Sequence, residues 1–139
     1  MTIIFDTNVI LDHLLARAPF GPAACWLVAR VELRRLRGLL SATTVTTVYY
    51  LARKVHGERL ARRQLAALLS VFEVAPVDEE ALNRALLGGM ADFEDAVLYE
   101  SGLAAGADGL VTRDVRGFEA SVLPVYSPEA LQALIGSTP

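Results

Sequence analysis

Length, composition and charge already exclude several classes of protein. At 139 residues the chain is long enough for one self-sufficient core, so we predict a single domain over residues 1–139. Hydrophobic residues make up 53% of it, but charges interrupt each apolar run before the roughly 20 residues that a membrane span requires. Because no basic leader precedes the first apolar run, we expect a soluble, cytoplasmic protein without membrane contact.

The single cysteine and the uneven charge narrow the chemistry further. Cys25 has no second cysteine to pair with, which excludes an internal disulfide and a multi-cysteine zinc site. The net charge is −3, but residues 1–63 contain ten Lys or Arg against four Asp or Glu, whereas residues 64–139 contain three against twelve. Two explanations of the basic half stay open: solvated arginine faces on helices, or a surface that binds a polyanion.

The predicted elements of the first half alternate between strand and helix. They are a strand over 2–6, helices over 8–17 and 23–37, the second of which Gly38 ends, and a strand over 39–41. The β-branched side chains of residues 43–56 favour a strand by propensity alone. We nevertheless predict a helix there, because the ending YYLARKVHG has helical periodicity and stops at Gly57.

The second half continues the alternation. Its predicted elements are a helix over 58–70, a strand over 72–77, a helix over 78–87 capped by Asp78, a helix over 92–105, strands over 109–112 and 123–126, and a last helix that starts at Ser127–Glu129. Alternating strands and helices predict an α/β fold with a mainly parallel sheet that helices cover on both faces.

Acidic residues follow the ends of predicted strands. Asp6 ends the first strand, and Asp114 comes directly after GLVT and Arg113. Because ligand sites of parallel sheets lie at the carboxyl ends of the strands, both carboxylates should share one edge. The segment MADFEDAV adds Asp92, Glu94 and Asp95 at a helix start. On a helix, Asp92 and Asp95 share a face, whereas Glu94 points elsewhere.

Each of these acids also has an ordinary structural explanation. Asp92 suits a helix N-cap, Glu94 and Asp95 complement the helix dipole, and Asp6 and Asp114 suit turns. Convergence of Asp6, Asp95 and Asp114 to within about 4–5 Å would cost roughly 3–4 kcal/mol of repulsion per pair at an effective dielectric constant of about 20. A counterion would offset that repulsion, and hard oxygen ligands suit Mg²⁺ or Mn²⁺.

Four stretches of the chain resemble the motifs of the PIN-domain ribonuclease family. IIFDTNVILD is similar to the first motif, LLSATTVTTVYYLAR to the second, DFEDAV to the third and LVTRDVRGF to the fourth. The resemblance implies a three-layer α/β/α, Rossmann-like fold with an acidic Mg²⁺ or Mn²⁺ site that hydrolyses RNA phosphodiester bonds. Many single-domain bacterial members are VapC-like toxins of type II toxin–antitoxin pairs, so the resemblance also implies a small antitoxin protein as partner.

The resemblance also implies roles for individual residues. Asp6, Asp95 and Asp114 match the catalytic, metal-binding acids of the family. Asn8 would hold the Asp6 loop, and Thr112 would orient water or the neighbouring carboxylate. As ligands of one or two metal ions, the three aspartates would help to activate water for attack on the phosphodiester.

The chain departs from the family pattern at one position. Thr47 stands where many relatives have glutamate, which removes one negative charge from the expected metal site. Asp92 and Glu94 are additional acids that would compensate as further metal ligands. The departure leaves a second function open: a catalytically impaired PIN-fold module that binds RNA or protein without hydrolysing it.

Basic and aromatic residues supply candidates for RNA binding. We predict that Arg113 and Arg116, beside the fourth motif, contact RNA phosphates. An outer basic track would comprise Arg53, Lys54, Arg59, Arg62 and Arg63. Tyr49 and Tyr50 are candidates for stacking on bases, with burial in the core as the alternative. The high apolar fraction of so short a chain predicts a homodimer.

Overall fold

The computed structural model describes residues 1–137, and the strands in this range form one five-stranded sheet. The strands are β1 (Thr2–Phe5), β2 (Arg37–Ser41), β3 (Glu73–Ala75), β4 (Gly109–Val111) and β5 (Val125–Tyr126). Their order across the sheet is β3-β2-β1-β4-β5, and all four neighbouring pairs are parallel. The predicted parallel sheet is therefore confirmed, and β1 lies at its centre.

Helices cover both faces of this sheet. They are α1 (Thr7–Leu14), α2 (Gly21–Glu32), α3 (Ala42–His56), α4 (Glu58–Val71), α5 (Glu79–Leu87), α6 (Phe93–Ala104) and α7 (Pro128–Gly136), with a 3₁₀ turn over Val115–Phe118. Successive side chains of a strand point to opposite faces, and β1 follows this rule. Ile3 and Phe5 lie in one hydrophobic core, whereas Ile4 lies in a second core with Leu98 of α6. This arrangement confirms the predicted three-layer α/β/α fold.

The predicted helix over 23–37 was wrong at its end. Helix α2 ends at Glu32, and Gly38 lies inside β2 rather than at a helix terminus. A Cβ atom at Gly38 would lie 2.6 Å from Cε1 of Phe72, so the glycine makes room for this ring against the sheet. The turn between the two elements passes through Arg34, which has a φ of 57°. The glycine therefore serves packing between distant segments, which local patterns do not reveal.

Several predicted boundaries also shift inward. The predicted strand over 72–77 is shortened to β3, and those over 109–112 and 123–126 are shortened to β4 and β5. The helix predicted over 8–17 ends at Leu14, because the chain turns through Ala16 with a φ of 49°. Within residues 1–137, no helix has both the length and the apolarity that crossing a membrane requires.

The predicted helix over 43–56 is confirmed as α3, although its β-branched residues favour a strand. Thr44, Val48 and Ala52 recur every fourth residue and form its buried face, so tertiary burial outweighs strand propensity. Gly57 ends the helix as predicted, with a φ of 83° that other residues adopt less readily. The amino terminus of α3 follows Ser41 directly, at the carboxyl end of β2.

Close packing fixes α6 on the other face of the sheet. A Cβ atom at Gly102 would lie 2.9 Å from Cγ2 of Ile4, so the absence of a side chain allows α6 to approach β1. Asp95 lies near the amino terminus of α6, which begins at Phe93. The central strand and this helix thus bring the first and third acidic segments to the same edge of the sheet.

Candidate active site

Asp6 is a buried carboxylate at the carboxyl end of the central strand. Only 6% of the surface of Asp6 is exposed to solvent. The backbone N–H of Asp6 donates to Val111 O at 2.9 Å. One carboxylate oxygen accepts from the backbone N–H of Thr7, and the other accepts from the hydroxyl of Thr112, both at 2.7 Å. These hydrogen bonds stabilise the charged form of a side chain that would otherwise be costly to bury.

Thr112 joins the first and fourth acidic segments. Besides donating to Asp6, its hydroxyl oxygen accepts from the backbone N–H of Asp114 at 2.9 Å. Asn8 makes a longer connection, because its side-chain oxygen accepts from the backbone N–H of Arg113 at 3.4 Å. The structure therefore places both predicted supporting residues between α1 and the segment that follows β4.

The three predicted acids line one pocket. Its volume is about 250 Å³, and the residues around it are Asp6, Thr7, Asn8, Leu11, Thr43, Thr47, Glu94, Asp95, Leu98 and Asp114. Thr47 lies in the pocket wall, together with Thr43 one helical turn earlier on α3. Sequence reasoning did not single out Thr43 or Thr7, although both belong to the segments that carried the motifs.

Asp92 and Glu94, the two additional acids, lie differently from what the helix pattern predicted. Asp92 is the N-cap of α6, and its carboxylate accepts from the backbone N–H of Asp95 at 2.9 Å. Glu94 lines the pocket, so the prediction that it points elsewhere was wrong. Asp92 does not line the pocket beside Asp95, because it precedes the first helical residue and has an extended backbone, with φ −93° and ψ 123°. Helical spacing therefore does not describe the direction of the Asp92 side chain.

Asp95 is the pocket carboxylate whose pKa departs furthest from its ordinary value. Its pKa is raised to about 7, first by burial and then by repulsion from Asp6, Asp92, Asp114 and Glu94. In the described part of the chain its carboxylate accepts no hydrogen bond that would offset these effects. The pKa of Asp6 is also raised, mainly by burial, but the hydrogen bonds from Thr112 and Thr7 oppose the shift.

The acids share the pocket without forming a ready-made metal cluster. Among residues 1–137, no three side chains of His, Cys, Asp or Glu are placed to hold one metal ion together. The expected close convergence of Asp6, Asp95 and Asp114 is therefore not observed. The physical reason is that Asp6 and Asp114 are held by nearby N–H and hydroxyl donors, while mutual repulsion favours separation. The donor set of carboxylate, hydroxyl and amide oxygens still fits a hard cation such as Mg²⁺ or Mn²⁺.

Gly117 lies beside the pocket carboxylate of Asp114, a position that the sequence did not reveal. Its backbone N–H donates to Oδ1 of Asp114 at 3.2 Å. A Cβ atom at this position would lie 2.6 Å from Oδ2 of Asp114 and 3.5 Å from Oδ2 of Asp95. Both carboxylates therefore lie near the bare α-carbon of Gly117, and a side chain there would displace the carboxylate of Asp114.

The guanidinium group of Arg113 has a different partner from the predicted RNA phosphate. It binds the carboxylate of Asp12 through Nε at 2.6 Å and Nη2 at 3.3 Å, and it lies 4.0 Å from the ring centroid of Phe20. Asp12 is fully buried in α1, and Nε of Arg17 lies 3.0 Å from its Oδ1, the oxygen that also accepts from Nη2 of Arg113. We therefore assign Arg113 to holding the β4 loop against α1. Arg116 is exposed and remains a predicted phosphate contact.

A signal for this ion pair was present in the sequence. Asp12 stands in the apolar run VILDHLL, at a position where a charged side chain faces the core and requires a partner. The sequence did not identify that partner, because Arg113 lies 101 residues away along the chain.

Comparisons with known proteins agree with this fold. A family model described as a PIN domain matches residues 2–116. No curated protein sequence matches the chain. Solved structures with a similar fold include the VapBC2 complex from Rickettsia felis bound to a DNA fragment of its promoter, at a TM-score of 0.68 and 14% identity, covering 91% of this chain and 98% of that one.

Two further structures are similar over most of their length. A toxin–antitoxin complex from Klebsiella pneumoniae has a TM-score of 0.68 and 21% identity, covering 91% of this chain and 97% of that one. VapC20 from Mycobacterium tuberculosis, a toxin that cleaves the sarcin–ricin loop, has a TM-score of 0.62 and 19% identity, covering 78% and 86%. At such identities the likeness shows a common fold.

The buried ion pair generates a prediction about stability. Asp12→Asn should lower the free energy of unfolding by about 1.5–3 kcal/mol, because Arg113 would lose a charged acceptor and Arg17 a nearby counter-charge in the core. Urea denaturation measures the change. Glu80→Gln is the matched control, since it alters an exposed ion pair with Arg84 and should change stability by less than about 0.5 kcal/mol. Equal effects of the two substitutions would contradict the assigned role.

The perturbed carboxylate generates a prediction about pH. Because the pKa of Asp95 rises from 3.8 to about 7 on folding, the folded state binds more protons than the unfolded state between these values. The free energy of unfolding should therefore fall as pH rises through that window. Asp95→Asn should flatten this dependence and raise the melting temperature at pH 8, measured with EDTA. Glu119→Gln, an exposed carboxylate outside the pocket, should leave the slope unchanged; a wild-type slope in Asp95→Asn would refute the effect.

Proposed function

Since this chain belongs to the PIN-domain family, we propose that it is a metal-dependent endoribonuclease that hydrolyses RNA phosphodiester bonds. The observation that carries the proposal is the pocket that Asp6, Asp95 and Asp114 line together at the carboxyl edge of a parallel sheet. The raised pKa of Asp95 supports it, since perturbed carboxylates in a cleft are typical of functional sites.

The proposed metal ligands are Asp6, Asp95 and Asp114, with Glu94 in the same pocket wall. When bound there, Mg²⁺ or Mn²⁺ would neutralise the phosphate and lower the pKa of a water molecule. Asp92 takes less part in this proposal, because its carboxylate already caps α6. Exchange of the Asp95 proton for a divalent cation would relieve the repulsion that raises its pKa.

The chain's own residues would divide the remaining work. Thr112 holds Asp6 in place and positions the backbone of Asp114 through the same hydroxyl group. We assign Asp95 to orienting the attacking water, because within residues 1–137 its carboxylate accepts no hydrogen bond and both oxygens are available. Arg116, exposed after β4, would contact a phosphate beside the scissile bond.

A toxin–antitoxin role is the biological setting that we propose for this activity. It is supported by the fold shared with VapBC2, with the Klebsiella pneumoniae complex and with VapC20. In this setting the chain would act as one cytoplasmic domain held inactive by a small antitoxin protein. We also propose a homodimer, because apolar side chains such as Leu86, Leu87 and Val122 are exposed in the monomer.

One observation favours a second function. Thr47 supplies a hydroxyl in the pocket wall where many relatives have a carboxylate, and no metal cluster is gathered among the described residues. A PIN-fold module that binds RNA or protein without hydrolysis would have the same structure. Calorimetry separates the two, since a site that fails to bind Mn²⁺ at millimolar concentration would not support cleavage.

Cleavage assays test the main proposal. With Mg²⁺ or Mn²⁺ the protein should cleave RNA, and EDTA should abolish the reaction. Asp6→Asn and Asp114→Asn should each lower the rate by about 100-fold or more, because each removes several kcal/mol of charge stabilisation. Asp108→Asn is the matched control: Asp108 precedes β4 at the opposite edge and accepts from the N–H of Thr2. Metal-independent cleavage, or full activity in both site variants, would defeat the proposal.

The departure at position 47 generates a gain-of-function prediction. Thr47→Glu should tighten Mn²⁺ binding by about tenfold, because it adds a carboxylate to the pocket wall. Isothermal titration calorimetry measures the affinity. Thr46→Glu is the control, since Thr46 is the neighbouring residue on α3 but lies outside this pocket. If both substitutions change the affinity equally, the effect is one of general charge, and the pocket is not the metal site.

A further inference from the structure

We propose that helix α3 carries a binding site for single-stranded RNA that leads out of the acidic pocket. The site, named here the α3 stripe, consists of Thr43, Thr47, Tyr50 and Lys54. Tyr50 would stack on a base, and Lys54 would bind a phosphate. The inference rests on the proposed function, because it assigns the contacts of the RNA that flanks the scissile bond.

Helical geometry places these four residues in one line. They are separated by four, three and four positions, and at 3.6 residues per turn such spacings fall on one face of a helix. The buried face of α3 is formed by Thr44, Val48 and Ala52. The stripe is therefore distinct from the surface that packs on the core.

The inner end of the stripe lies at the acidic pocket. Thr43 and Thr47 both line that pocket together with Asp6 and Asp95. At 1.5 Å per residue, Lys54 lies about 16 Å along the helix axis from Thr43. A strand whose scissile phosphate lay in the pocket would thus extend over the stripe without leaving the protein surface.

The outer end combines an exposed aromatic ring with a cation. Tyr50 is 57% exposed, and Nζ of Lys54 lies 4.4 Å from the centroid of its ring. Within the described residues Lys54 forms no ion pair with a carboxylate, so its charge is available to a ligand. Aromatic rings beside cations form the stacking platforms that bind single-stranded nucleic acids.

The structure also decides between the two adjacent tyrosines. Tyr49 is half-buried and lines a groove between α3 and α4, with the guanidinium of Arg62 5.6 Å from its ring centroid. Tyr50 points along the stripe and is the ring that a base can reach. A polymer of phosphates and bases fits this surface, because the exposed ring of Tyr50 offers a stacking face and Lys54 offers a cation beside it.

RNA binding is measured in an Asp114→Asn background, so that the oligonucleotide stays intact. The probes are single-stranded RNA 12-mers with 2-aminopurine at successive positions, whose fluorescence falls when the base stacks on a ring. Tyr50→Leu should weaken binding by about 5- to 100-fold and remove the quenching, whereas Tyr50→Phe should keep both. Equal loss in Tyr50→Phe and Tyr50→Leu would overturn the stacking role.

Lys54→Met should weaken RNA binding. It should also reduce the slope of log affinity against log salt concentration by the amount expected for about one phosphate contact. Arg35→Met is the matched control, since it removes the same charge from an exposed residue just before β2, at the edge of the sheet opposite to the pocket, and should leave affinity and slope close to those of the parent. If Tyr50→Leu and Lys54→Met bind RNA like the parent while the wild-type protein cleaves RNA, the stripe is refuted and the nuclease stands. If these two variants bind RNA more weakly but the wild-type protein does not cleave it, the α3 stripe is supported as a binding site and the proposed nuclease function is refuted.

Discussion

One hydroxyl group, that of Thr112, holds the acidic pocket together. It donates to the buried carboxylate of Asp6 and accepts from the backbone of Asp114, so a single side chain fixes two acids from opposite ends of the sequence. Asp6 is tolerated in the interior because this donor and the N–H of Thr7 meet both of its oxygens. The geometry of the pocket thus depends on a neutral group that carries no catalytic charge.

The contrast between Asp6 and Asp95 shows how the same chemical group acquires different properties. Hydrogen bonds favour the charged form of Asp6 and oppose the effect of burial on its pKa. Asp95 is less buried, but without such hydrogen bonds in the described part of the chain, burial, and then repulsion from four neighbouring carboxylates, raise its pKa to about 7. A carboxyl group that titrates near neutrality readily gives up its proton when a cation binds in its place. The arrangement therefore separates one carboxylate whose charged form is stabilised by hydrogen bonds from one whose protonation changes near neutrality.

Local signals in the sequence identified much of the fold and the main acids. Asp78 and Ser127 cap helices as predicted, because an N-cap is decided within three residues of its own position. Features that depend on distant segments were missed or misread. Gly38 makes room for Phe72, Asp12 binds Arg113, and Gly117 leaves space for the carboxylate of Asp114. Only the tertiary structure brings these partners together.

The ion pair between Asp12 and Arg113 has a consequence for selectivity. Moving the segment that follows β4 away from α1 would expose the buried carboxylate of Asp12 and separate it from the guanidinium of Arg113. This segment is therefore firmly anchored to α1. A pocket built on an anchored segment does not reshape itself for different ligands. Under the proposed nuclease function, discrimination among nucleotide sequences would depend on the surfaces around the entrance of the pocket, which are free to diverge while the pocket itself is retained.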